Sequence, residues 1–507
     1  MPLSHRSLAL SIAMVVAFGL VLVPHGTSAP FDDTVRIRNS SGLASRSFEA
    51  RGTIEFTDDD RDVKTISPGG YVLIEIGTWF QTERSYEVRA DSGGTLSRTY
   101  RVGGRTRQMD ADGQAWVAQS ILSFIRETGM GAAARVERLL RQGGPPAVLK
   151  EISEIHSDGS KRKYLRELVD RGHPNAEQLR DVMRSARSIG SDGEKTELLI
   201  EVSRSYLKPE LRQAWFTALN GIGSDGDKRN ALDHAIKSDP SVETLTLTAN
   251  AAGRIGSDGD KAAVLSAIAS RGIPGGARRP WFRAAETIGS DGDKRQALSA
   301  VLPASGGDPD TLLELLRTAE TIGSDGDKAA VLTAAARSDL RTDALQRAFF
   351  SAVDSIGSDG DRKTVLTAVL RSSNRSASLL TGVAQSARKI GSDGEKKEVL
   401  SHAAEFEMND GAARTAYFAA VNTIGSDGDR AAVLSNVLRK PKLPAETVVA
   451  AIESATGVGS DGEKASVLLL AAERHGSDPA VRAAIEKALP SVHTDGDYRR
   501  VSAALLK

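Results

Sequence analysis

One short block, Ile-Gly-Ser-Asp-Gly-Asp/Glu-Lys, recurs with small variations along most of this 507-residue chain. Indexed on its first aspartate, it stands at Asp158, Asp192, Asp225, Asp258, Asp291, Asp325, Asp359, Asp393, Asp427, Asp461 and Asp495, always 33 or 34 residues apart. So constant a period excludes one ordinary globular core. It requires stacked supersecondary units, because each buries its apolar face only against a neighbour.

The residue types make the block a turn between two helices. In Ile255-Gly256-Ser257-Asp258-Gly259-Asp260-Lys261, Ile255 closes the apolar stripe of one helix. Gly256 is expected to end that helix in the left-handed region, which glycine adopts without strain. Ser257 is an N-cap for the next helix, and Asp260, three residues on, completes a capping-box-like pair. The equivalent caps are Ser191, Ser224, Ser290, Ser324, Ser358, Ser392, Ser426 and Ser460. Asp258 and Asp260 also oppose the positive end of the helix dipole. The following Lys or Arg is expected to form ion pairs between repeats.

Apolar residues at spacings of three and four flank the turns, as Leu211, Ala214, Trp215, Ala218 and Leu219 do before Ile222. Asp239-Pro240, Asp308-Pro309 and Asp478-Pro479 are helix starts. The spacing predicts a first helix of ~14 residues, a tight turn and a second helix of ~10–12 in each unit. The fold class is therefore mainly α: a HEAT- or TPR-like α-solenoid of about eleven helix-turn-helix repeats over residues 146–507. Its first copy, with His156 and Ser160, and its last, with Thr494 and Tyr498, depart from the pattern as capping repeats do.

A second period lies inside the first. Trp215-Phe216, Trp281-Phe282, Phe349-Phe350 and Tyr417-Phe418 occur only in alternate repeats, the third, fifth, seventh and ninth. The first ring of each pair is expected in the core. The second lies ~100° further round the helix. Two readings follow for Phe216, Phe282, Phe350 and Phe418: further core filling, or a regular ladder that contacts a partner.

Residues 1–29 form a leader, with His5 and Arg6, an apolar run from Leu8 to Val23, and Thr27 and Ala29 at small-residue cleavage positions. It is expected to direct export as a cleaved signal peptide, or to remain as an N-terminal anchor, the chain's one link to a membrane. Residues 30–110 show strand alternation at Thr34–Arg38, Phe48–Phe56, Tyr71–Ile76, Ser85–Ala90 and Ser97–Val102, separated by turns such as Asp58-Asp59-Asp60. They are predicted to form a small antiparallel β-domain. Residues 111–145 supply linking helices, ending at Gly143-Gly144-Pro145-Pro146.

The chemistry is sparse. Sixty-six basic and 66 acidic residues cancel, which removes the basic excess of a nucleic-acid binder. No cysteine is present, so disulfides and thiolate chemistry are excluded. The eight histidines are scattered, and no nucleophile elbow, phosphate loop or zinc helix occurs. Neither a catalytic residue nor a cofactor is expected, and the chain is read as non-enzymatic. The Asp-Gly-Asp turns suggest calcium, but each supplies two carboxylates followed by a cation, short of a calcium loop's ligand set.

Two stretches carry a resemblance: Gly52-Thr53-Ile54-Glu55-Phe56 through Ile66-Ser67-Pro68-Gly69-Gly70-Tyr71, and Gly129-Met130-Gly131-Ala132-Ala133-Ala134-Arg135-Val136 with the Ser-Asp-Gly-Glu-Lys repeats. Residues ~45–507 resemble the extracytoplasmic HEAT-like repeat region of antirepressor-type bacterial membrane metallopeptidases, and related exported repeat proteins. In that family the turn usually reads Ser-Asp-Tyr-Glu-Lys, and glycine stands for the tyrosine here. The peptidase helices and zinc motif are missing, so proteolysis is not implied. A sensory or scaffolding role outside the cytoplasm is.

The expectation is thus an exported scaffold, periplasmic or secreted, that binds a protein or peptide partner. The alternative is an envelope ligand or cation sensor whose β-domain binds and whose solenoid transmits.

Overall fold

The computed structural model describes residues 34–41, 44–78, 80–304, 307–373 and 375–506. The predicted leader lies outside them. The described chain falls into two units that meet at Arg138 and Leu139.

The first unit is built on antiparallel strands β1 (Thr34–Ser41), β2 (Ala44–Arg51), β3 (Ile54–Phe56), β4 (Val63–Ile66), β5 (Tyr71–Thr78), β6 (Thr82–Ala90), β7 (Leu96–Val102) and β8 (Arg105–Thr106). Six strands form one sheet in the order β1-β2-β5-β6-β7-β8, and β3 and β4 form a separate hairpin. The stretch from Phe48 to Phe56, which alternates as one strand, breaks at Gly52, where φ is +93° and any Cβ would meet the Ser67 hydroxyl. That break frees β3 to pair with β4, a strand the alternation did not reveal. Helix α1 (Ala111–Thr128) covers the sheet. Its Phe124 ring sits 5.5 Å from Phe48 and 6.0 Å from Phe56, and Ile121 and Ile125 complete the core. Asp60 of the predicted turn holds φ +55° and pairs with Arg135 and Arg138 of helix α2 (Ala132–Ser153). The predicted Gly143-Gly144 linker is a kink within α2, with Gly144 at φ +66°.

The second unit is the predicted α-solenoid. Its helices are α3 (Asp158–Gly172), α4 (Ala176–Ala186), α5 (Asp192–Tyr206), α6 (Pro209–Leu219), α7 (Asp225–Ser238), α8 (Val242–Ala252) and α9 (Asp258–Ala269). They continue with α10 (Gly275–Glu286), α11 (Asp291–Ala304), α12 (Pro309–Glu320), α13 (Asp325–Ala335), α14 (Asp343–Asp354), α15 (Asp359–Leu370) and α16 (Ala377–Ala387). The last are α17 (Asp393–Ala403), α18 (Gly411–Val421), α19 (Asp427–Leu438), α20 (Ala445–Ala455), α21 (Asp461–His475), α22 (Pro479–Ala488) and α23 (Asp495–Leu505). Even-numbered helices from α4 onward are the first helices of their units, and odd-numbered ones from α3 are the second.

The first helices are shorter than predicted, 10 to 12 residues, because their last turn tightens to i→i−3 bonds such as Ile255 N–H to Ala252 O, 3.0 Å. The turn isoleucines are buried: Ile189, Ile222, Ile255, Ile288, Ile322, Ile356, Ile390 and Ile424.

First helices stack on first helices and second on second, with each unit's two helices also in contact. The first helices approach in pairs. α8 lies close to α10 and α16 to α18, whereas α6 and α8, or α18 and α20, touch sparsely. The aromatic pairs sit on the helices that flank these wider spaces. This gives the second period a structural meaning: the true unit is two repeats, one bearing small residues and one bearing large rings.

Candidate interaction surfaces

The repeated turn is an internal fastener. Each cap serine accepts from the N–H of the residue three positions on, as Ser257 does from Asp260 and Ser290 from Asp293. The first aspartate reaches across to the next repeat. Asp192 Oδ2 accepts from Gly223 N–H (3.0 Å) and Ser224 N–H (2.8 Å), and Asp225 Oδ2 does the same with Gly256 and Ser257. The series runs from Asp158, which takes Ser191 N–H, to Asp461, which takes His493 and Thr494 N–H. Ten links join the eleven turns.

The first glycine of the block, Gly256 and its equivalents, does not end its helix in the expected left-handed conformation. A Cβ at 256 would stand 3.1 Å from Asp225 Oδ2, and at 357 it would stand 3.0 Å from Asp325 Oδ2. Glycine leaves room for the neighbour's carboxylate, although His493 stands in the same place against Asp461 in the last copy. The second glycine differs. Gly226, Gly326, Gly360 and Gly428 have nothing near the place of a Cβ.

The basic residue after the second acid is no surface ion-pair former. Lys195, Lys261, Lys328, Lys396 and Lys464 are buried and donate to carbonyl oxygens ending the next repeat's first helix. Lys195 Nζ lies 2.7 Å from Gly221 O, and Lys464 Nζ 2.6 Å from Ser491 O. Unpaired C-terminal carbonyls and a buried ammonium satisfy one another. The predicted inter-repeat ion pairs belong to the residue after: Arg229 to Asp260 (3.2 Å), Arg295 to Asp327 (3.0 Å) and Lys397 to Asp429 (2.6 Å). The second acid's carboxylate therefore faces a neighbouring repeat, and the reciprocal half of the predicted capping box does not form in these turns. Asn175 with Gln178 makes the complete box.

Electrostatics follow the links. The Gly391 N–H holds the Asp359 carboxyl below its ordinary value against the opposing effect of burial. At Asp461 burial opposes, yet donors from Thr494, His493 and Lys464 push the carboxyl down to about 2. These oxygens are occupied by donors, which leaves them poor calcium ligands. Among the described residues no three His, Asp or Glu side chains converge as a metal site.

Of the two readings for the second aromatics, core filling holds at three of the four positions. Phe216, Phe282 and Phe418 are buried, packed edge-to-face on their partners with centroids 4.8–5.2 Å apart. The first rings are anchored as well: Trp215 Nε1 donates to Leu199 O, Trp281 Nε1 to Leu265 O and the Tyr417 hydroxyl to Leu400 O. Two adjacent rings both bury because the wider space beside each aromatic helix receives the second one. Phe350 alone of the four is partly exposed. It borders a groove of ≈ 350 Å³ between α14 and α16.

In the β-domain, Phe80 at the β5–β6 turn is 90% exposed beside a polar recess of ≈ 240 Å³ that includes Arg38, Glu75 and Gln81. Neither recess was legible in the sequence. No helix among the described residues is long and apolar enough to cross a membrane.

No protein family matches the chain, and no curated protein does. Among solved structures it is similar to a chain of the Chs5-Bch1 exomer cargo adaptor complex. The identity is 10% over 88% of this chain and 85% of that one, with a TM-score of 0.15. At that score the match carries no functional argument.

Proposed function

We propose that this chain is an exported, non-catalytic scaffold that holds a protein or peptide partner along its solenoid, in the periplasm or cell envelope or outside the cell. The observation that carries this reading is the use made of the repeated motif. The first carboxylate of ten turns, most of the lysines and several of the second acids, the groups that could have suggested catalysis or metal binding, are spent on a neighbouring repeat. What remains is a long row of first helices, the kind of extended surface on which repeat proteins bind partners. The leader supports export, and the scaffolding role implied by the resemblance to extracytoplasmic repeat regions points the same way.

Two measurements test it. Expressed with its leader, the chain should fractionate outside the cytoplasm. A photo-crosslinker at Arg347 or Thr415, on first helices, should give protein adducts of discrete mass, whereas one at Gly326 on the turn edge should not. Cytoplasmic retention would overturn export, and equal labelling at all three positions would overturn the scaffold.

The exposed Phe80 and its recess favour a second reading, in which the β-domain senses an envelope ligand. Screening calcium and soluble cell-wall fragments by thermal shift, with Phe80→Ala abolishing any response, would establish it. No response from the native chain would remove it.

A further inference from the structure

We propose that the groove between α14 and α16 is a binding slot for an extended peptide segment of about four residues, with an apolar side chain seated on Phe350. The inference rests on the scaffold reading and assigns that scaffold a place of contact.

Two departures from the repeat coincide here. In the other aromatic helices the residue four before the second ring is Arg212, Arg278 or Arg414. Each of those has a partner: Asp239 at 2.9 Å, Asp310 at 2.8 Å and Met408 O at 3.2 Å. In α14 the residue is Gln346. On the facing helix the equivalent positions carry Leu247, Glu314 and Ala450, and in α16 the residue is Gly382. With no side chain at 382, the Phe350 ring lies where a Cβ would stand, and the space beside it stays open.

One polar group of the groove stands without a partner among the described residues. Gln346 is only 8% exposed, lines the groove, and its amide makes no hydrogen bond among the described residues. A ligand that pairs this amide gains a hydrogen bond that the fold itself leaves unmade. An amide offers one acceptor and two donors, the complement of a peptide backbone. Asp354 closes the other end, its Oδ2 held by Lys389 at 2.7 Å. Gln346, Phe350 and Asp354 stand at i, i+4 and i+8, one stripe ~12 Å long. An extended chain covers that distance in about four residues. Arg347, exposed at the rim without an ion pair among the described residues, favours an acidic residue next to the Gln346 end.

The test is selection of a phage library of random 12-residue peptides on the full chain. Enriched peptides are then titrated by fluorescence anisotropy against the native protein, Gln346→Arg and Phe350→Ala. Gln346→Arg places there the residue the other copies carry, and its melting temperature is compared with that of the native chain. The proposal expects both variants to weaken binding about tenfold or more, a factor an equilibrium titration resolves easily. Peptides indifferent to both substitutions would overturn the slot and leave the scaffold standing. A library yielding no binders would overturn both. Binding of a soluble oligosaccharide panel, lost in Gln346→Arg, without any peptide binding, would overturn the peptide as occupant.

Discussion

At the residue scale, each position of the repeated block has a separate task, and substitutions should separate them. Asp258→Ala removes the acceptor for Gly289 and Ser290 N–H. It should cost about 1–3 kcal/mol in urea unfolding, as orphaned donors do. Gly326→Ala should do the reverse. Its Cβ meets nothing and its backbone is helical, so a gain of up to about 1 kcal/mol is expected. A loss there would mean that the open glycine row touches something the fold does not account for. Acid should act on the same links. The carboxyls of Asp359 and Asp461 titrate lower in the folded chain than unfolded, so their stabilisation is complete above the unfolded value. For Asp461 it is lost as pH falls from about 4 towards about 2, and Asp461→Asn should flatten that part of the stability–pH curve. The cap serines, the turn and its isoleucine were legible because they obey local rules. The first glycine was misread because its cause is a carboxylate 31 residues earlier, which no local rule contains.

At the scale of elements, the informative pattern is the alternation of first helices. Trp281→Ala in α10 should cost about 3–5 kcal/mol, typical of a large buried ring removed. A value near zero would show that the first rings do not hold the core together. The alternation of aromatics was visible in the sequence, yet the close pairing of helices was not. Periodicity shows which residues share a face, but not how far away the next face stands. For the same reason the ladder of second aromatics looked plausible: helix angle alone puts Phe216 beside the core, and only the wide space allows it in. The α14–α16 groove escaped notice because it arises where two copies depart together, at Gln346 and Gly382, and each change alone looks like drift. In the β-domain, Gly52 hid a strand boundary inside an unbroken alternation.

At the scale of the molecule, the pairing makes the 67-residue double repeat the natural quantum of length. Deleting residues 258–324 brings α13 and the aromatic α14 next to α8, in the order α9 and α10 now have. That deletion should keep a single cooperative melt by circular dichroism. Deleting residues 258–290 places two small-residue helices side by side and should melt lower or in two steps. Equal behaviour would mean that the single repeat is the real unit. The carboxylate links have one more property: they all run the same way. The first ten turns each lend an oxygen to their successor, and the buried lysines that follow reach in the same direction. A cut through the array therefore leaves unlike ends. The upstream piece is left with a spare carboxylate, which water solvates readily. The downstream piece begins with bare amides and a bare carbonyl. A chain emerging from its N-terminus therefore exposes the carboxylate edge of one repeat before the amides that fit it have arrived.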